Sequence, residues 1–136
     1  MQPLGARSNR PMTRLLWVML GGALGSGARY LTVVGCQRLL GTAFPWGTLA
    51  VNLAGSFLLG VLLPVGLRGT ALAPTTVIAL SAGVLGGFTT YSSFSVETLT
   101  LLQQGSHAAA LANVAATVLL CLAASWLGLQ LGTRLA

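Results

Sequence analysis

The densest cluster of ion-capable groups lies inside an apolar stretch: Gly83-Val84-Leu85-Gly86-Gly87-Phe88-Thr89-Thr90-Tyr91-Ser92-Ser93-Phe94-Ser95. Apolar residues flank it on both sides, Val77 to Leu80 before and Leu99 to Leu102 after. Glycine, threonine and serine all weaken a helix at such a position. A helix opened there leaves carbonyls and amides that hydrocarbon cannot satisfy, so protein, water or an ion must meet them. Unwound carbonyls of this kind hold cations such as sodium. The competing reading is an unbroken helix whose hydroxyls bond back to their own turn.

Three further features belong to the same chemistry. Asn52 sits inside an apolar run and must face protein or water. Its amide can donate two hydrogen bonds to an anion, or it can tie one helix to another. Arg29 is either a charge that reaches the membrane surface or one turned inward, since a charge at the bilayer centre costs at least about 2.5–3.5 kcal/mol. Phe88, Tyr91 and Phe94 carry positive ring edges that favour a small anion without a full countercharge, or they simply pack. Weak attraction suits conduction, because the ion must leave as well as enter. Glu97 has no second acid or base beside it, and no catalytic constellation or nucleotide motif is present, so an enzyme is not expected. Its ordinary role is at a membrane flank or in helix packing.

These groups need a membrane scaffold. Hydrophobic residues make up 54% of the chain and charged residues 6%, against about 25% charged in ordinary soluble domains. All seven basic residues are arginine, scattered singly, and the one acid is Glu97. Long stretches without lysine, arginine or acid separate Arg38 from Arg68, Arg68 from Glu97, and Glu97 from Arg134. Each can hold a span of roughly 20 residues. The spacing predicts spans over 14–40, 47–67, 75–102 and 107–131, after a disordered lead over 1–13. The lead and Ser26-Gly27-Ala28 resemble a signal peptide, but three more apolar segments follow, so the first segment reads as a span.

The basic pI of 11.3 does not indicate nucleic acid, because the arginines form no stripe and no DNA-reading motif is present. They read as flank charges facing lipid headgroups. Cys36 and Cys121 read as small packing residues. Gly21/Gly25, Ser56/Gly60, Gly83/Gly87 and Gly128/Gly132 are spaced for close helix approach. No internal repeat appears, and four short helices hardly enclose a selective path alone, so at least two chains are expected to form the working unit.

Three motifs, in three different spans, give the chain a resemblance to a known family. They are Gly21-Gly22-Ala23-Leu24-Gly25-Ser26-Gly27-Ala28-Arg29-Tyr30, Gly47-Thr48-Leu49-Ala50-Val51-Asn52-Leu53-Ala54-Gly55-Ser56-Phe57-Leu58-Leu59-Gly60, and Gly86-Gly87-Phe88-Thr89-Thr90-Tyr91-Ser92-Ser93-Phe94-Ser95-Val96-Glu97. Together they resemble the CrcB/Fluc fluoride channels, over about residues 14–134. The resemblance implies an all-α integral membrane fold of four transmembrane helices, the third broken mid-span, assembled as an antiparallel dual-topology dimer. It implies passive export of fluoride across the bacterial inner membrane.

It also implies a central structural sodium held by the carbonyls of Gly86 and Thr89 from each chain. The family's fluoride-contacting aromatic positions fall on Tyr91 and Phe94, its pore asparagine on Asn52, and its first-motif arginine, at an aqueous vestibule, on Arg29. Ser92 and Ser93 join the pathway. Two departures stand out: Tyr91 occupies a position that is commonly Phe, and the polar track of the fourth span falls on Asn113 and Thr117. These last two lie four apart on one helix face.

The chief rival is a small proton-coupled multidrug exporter of four helices. Such exporters carry a glutamate in the first span, and this chain has no acid there. A third class is a membrane assembly factor that transports nothing. The arginines are biased, with Arg7, Arg10, Arg14, Arg68 and Arg134 on one side and Arg38 and Arg29 on the other. That favours one orientation. The partner is therefore either a second copy or an oppositely oriented paralogue.

Overall fold

In the computed structural model, which describes residues 10–68 and 72–136, the chain is all-helical. Helix α1 runs Arg10–Leu40 and α2 runs Trp46–Arg68. Helix α3 begins with Pro74–Ile78, widens to i→i+5 bonding over Ala79–Leu85 and ends with Gly86–Phe88. Helices α4, Tyr91–Gln103, and α5, His107–Leu135, follow. Residues 1–9 of the expected lead lie outside the described residues. Arg10 to Thr13, assigned to that lead from sequence, instead form the start of α1. The polar character of this stretch hid a helix that continues the apolar run behind it.

Local signals explain the ends. Gly41 and Gly105 take positive φ, at 80° and 76°, just past α1 and α4. Glycine adopts that conformation without the Cβ penalty that other residues meet. Pro74 occupies the first position of α3, where a missing N–H costs nothing.

The helices associate as two tight pairs, α1 with α3 and α2 with α5, while α4 leans on α5. Glycine makes both pairs. A Cβ on Gly21 would lie 2.7 Å from the Ala79 carbonyl oxygen, and one on Gly87 would lie 2.6 Å from that of Gly22. A Cβ on Gly25 would strike the Val84 carbonyl, and those on Gly128 and Gly132 the carbonyls of Phe57 and Val61. The small-residue pairs read from sequence therefore lie where backbones touch. In lipid, where apolar burial gives no advantage, such close packing is what holds helices together.

The outside is apolar. Leu24, Leu31, Leu111, Leu119 and Leu122 all stand well exposed. Among the described residues, three lengths are long and apolar enough to cross a membrane: Trp46–Arg68, Pro74–Gln103 and His107–Leu135. Helix α1 has the length, at 31 residues, but its glycines and arginines lower its apolarity.

A paired substitution tests the packing. Gly25→Ala should destabilise the folded protein by about 1–3 kcal/mol through overpacking against Val84. Gly27→Ala, with nothing within 4 Å of its new Cβ, should leave stability unchanged or slightly raised. Thermal unfolding in detergent, followed by circular dichroism, distinguishes them. Equal midpoints would contradict the close approach of α1 and α3.

Candidate functional site

Between α3 and α4 the backbone leaves the helix for two residues. Thr89 takes φ −83°, ψ 158° and Thr90 takes φ −153°, ψ 117°. Both are β-branched and adopt extended conformations readily. The two glycines before them, Gly86 and Gly87, offer the helix little support.

Asn52 of α2 holds this opening. Its Nδ2 donates to the Thr90 carbonyl at 2.9 Å, and its Oδ1 accepts from the Thr90 N–H at 2.8 Å. The two bonds satisfy both main-chain groups of one extended residue, as a neighbouring strand would. Thr90 also starts α4: its Oγ1 accepts from the Ser93 N–H at 3.2 Å, an N-cap. The same hydroxyl donates to Ser93 Oγ at 3.1 Å and lies 3.2 Å from Ser92 Oγ.

This arrangement changes what two carbonyls can do. In a continuous helix the Thr90 N–H would close on the Gly86 carbonyl, and the Ser93 N–H on that of Thr89. Here the first goes to Asn52 and the second to the Thr90 side chain. The Gly86 and Thr89 carbonyls thus lose their ladder donors. Neutral carbonyl oxygens freed in this way suit an alkali cation. Among the described residues, no three His, Cys, Asp or Glu side chains gather as a metal set.

Other groups complete the surroundings. The Thr89 N–H and Oγ1 both donate to the Leu85 carbonyl, at 3.0 and 3.1 Å, closing α3. Gly55 makes room for the Thr89 methyl group, which a Cβ there would strike. Arg29 Nε donates to the Gly87 carbonyl at 3.1 Å, with Ser26 Oγ at 3.5 Å from the same oxygen. A cation at the C-terminal end of a helix is favourable. The half-buried Arg29 side chain ties α1 to the end of α3. A cavity of about 290 Å³ opens beside the interruption, with Asn52, Ser56, Gly86, Thr89 and Thr117 among its walls.

The aromatic pair divides. Tyr91 is 79% exposed and Phe94 only 8%, with ring centroids 5.6 Å apart at a 52° tilt. Ser92 lies exposed and Ser93 half-buried on the same first turn. Asn113 is fully buried, and its Nδ2 donates to Thr98 Oγ1 at 2.9 Å. Thr117 has a buried Oγ1 with no hydrogen-bond partner, facing the cavity side of α5. Glu97 Oε1 accepts from Thr48 Oγ1 at 2.8 Å, linking α4 to α2.

The structure therefore gathers Asn52, Gly86, Thr89, Tyr91 and Thr117 around one cavity, which Arg29, Ser92, Ser93, Phe94 and Asn113 do not line. Asn52, read as an anion donor or a helix contact, makes a contact here through both ends of its amide, with one N–H beyond the bond to Thr90. Sequence reading missed Thr90, Thr48 and Thr98. Thr90 was legible in principle, since a hydroxyl residue three before Ser93 at the start of an amphipathic run is an N-cap signal. Thr48 and Thr98 matter only through partners distant in sequence.

Apolar walls, glycine-packed helices and a polar opening inside one of the membrane-length apolar stretches define a multi-pass membrane protein with an ion-capable interior. Residues 16–129 match the family described as CrcB-like protein, Camphor Resistance (CrcB), and the chain belongs to that family. Similar proteins include one named Fluoride-specific ion channel FluC from Anaeromyxobacter dehalogenans, 57% identical over 115 residues, covering 85% of this chain and 91% of that protein. A protein of the same name from Sorangium cellulosum is 50% identical over 124 residues, covering 91% and 98%. Another, from Geobacter sulfurreducens, is 46% identical over 124 residues, covering 91% and 100%.

Asn52→Ala leaves the buried Thr90 N–H unpaired and takes one of two donors from the Thr90 carbonyl, which as the N-cap carbonyl also accepts the first bond of α4. It should destabilise the protein by about 2–4 kcal/mol, seen as a lowered melting temperature in detergent. An unchanged melting temperature would show that the pair does not hold the opening.

Proposed function

We propose that the chain is one subunit of a fluoride-selective channel in the bacterial inner membrane, through which cytoplasmic fluoride leaves passively and the cell is protected from its toxicity. The names and coverage of the relatives support the substrate. The observation that carries the mechanism is the Asn52–Thr90 pair, because it keeps a polar opening within an otherwise apolar length of chain. Such an opening is tolerated in a membrane only where it meets something polar.

In this reading α1 is the fourth membrane pass, and the pass over 74–103 is broken at Thr89–Thr90. The working unit is an antiparallel dimer, made with a second copy or with an oppositely oriented paralogue. The exposed apolar helix faces, beyond those that meet lipid, provide surface for it. The Gly86 and Thr89 carbonyls of two subunits would hold a structural sodium ion. Their freedom from ladder bonds and the exposure of Gly86 fit that donor role. When bound, sodium supplies a fixed positive charge at the dimer centre.

Fluoride is small and strongly hydrated, so its path must replace water by many weak donors. Ring edges of Tyr91 and Phe94, hydroxyls of Ser92, Ser93 and Thr117, and the free N–H of Asn52 are of this kind. Arg29 keeps positive charge near the opening, where its unused N–H groups attract anions at a vestibule. The ring edges, hydroxyls and amide are neutral and offer no full countercharge, which leaves the ion free to move on.

Purified protein in liposomes should release fluoride rapidly and chloride at least about a hundredfold more slowly, a discrimination of about 2.7 kcal/mol. Efflux should fall when sodium is replaced by a large organic cation on both sides. Absence of fluoride release would end this reading, and proton-coupled export of an organic cation would favour the exporter instead.

A further inference from the structure

One side chain that the resemblance placed on the ion path has no exposed surface. Asn113 is fully buried within the single chain, between α5 and α4, so neither solvent nor a partner subunit touches it. Its contact is the Thr98 hydroxyl, at 2.9 Å. That hydroxyl in turn donates to the main-chain carbonyl of Phe94, at 2.7 Å.

A threonine hydroxyl has one proton and two lone pairs, so it can donate once and accept as well. Thr98 Oγ1 donates to the Phe94 carbonyl and accepts from Asn113 Nδ2. Asn113 Oδ1 is buried without a partner.

Thr98 is not the only hydroxyl on α4 that bonds back one turn. Ser95 does so to Tyr91, and Thr100 to Val96. Both of those bonds are exposed. Only that of Thr98 is gripped by a neighbouring helix. Phe94, Thr98 and Leu101 share one face of α4 at i, i+4 and i+7, and that face is turned to α5.

We propose that Asn113 is a positioning residue: through Thr98 it fixes the turn of α4 that carries Phe94, and so sets the ring geometry of the ion path without meeting the ion. This rests on the fluoride-channel reading for its effect on transport, though not for its effect on the ring. The chain thereby gives a position on its last helix a structural task where a pathway donor was expected.

The test uses full-length Asn113→Ala, Thr98→Val, Thr98→Ser and the Asn113→Ala/Thr98→Val double variant. Each is reconstituted in liposomes after confirming equal elution in detergent. Fluoride efflux should fall about tenfold in Asn113→Ala and about equally in Thr98→Val. The double variant should be no worse than either, and Thr98→Ser, which keeps the hydroxyl, should retain most of the activity. In parallel, 4-fluorophenylalanine at position 94 should give one narrow fluorine resonance in the parent and Thr98→Ser, and a broadened or divided one in Asn113→Ala and Thr98→Val. Normal efflux in Thr98→Val with lost efflux in Asn113→Ala would overturn the proposal, as would multiplied losses in the double variant. An unchanged fluorine line in both single variants would overturn it even if the parent protein moved no fluoride.

Discussion

Two hydrogen bonds between one asparagine and one residue of backbone organise this protein. Asn52 donates to the carbonyl of Thr90 and accepts from its N–H, which it holds off the helical ladder. An unpaired buried amide costs about 1–3 kcal/mol, and more where no water can reach. With Asn52 in place, the Thr90 N–H that leaves the ladder is still paired. The position of Asn52 on α2, opposite the junction of α3 and α4, is therefore the constraint that the rest must accommodate.

The rest does accommodate it. Gly55, one turn from Asn52, leaves space for the Thr89 side chain. Thr90 caps the helix that restarts after it, and Arg29 caps the one that stops before it. Glycines on α1, α2 and α5 bring backbones together closely enough for these short polar side chains to reach. Sequence, packing and polar chemistry are linked here by distance: the site works only because the helices around it lack side-chain bulk.

Much of this was legible in the sequence, and the limits have physical causes. The helices were visible because apolar runs and charge gaps are properties of a single segment, and their ends fell within a few residues of those expected. The start of α1 at Arg10 was missed because a polar helical turn has no apolar signal of its own. The polar stretch between Gly83 and Ser95 was legible as weak helix. Which residues depart from it was not, because that is decided by Asn52, far away along the chain. Asn113 shows the same limit. The resemblance placed its amide on the polar track of the fourth span, while its bond to Thr98 depends on the approach of α5 to α4, which no single segment records.

The most direct measurement is the backbone carbon chemical shift of Thr89 and Thr90 in the protein reconstituted in a lipid bilayer, by solid-state NMR. The account predicts shifts characteristic of extended backbone at both residues, flanked by helical values at Leu85 and Phe94. Helical shifts running without a break from Gly86 to Phe94 would contradict it.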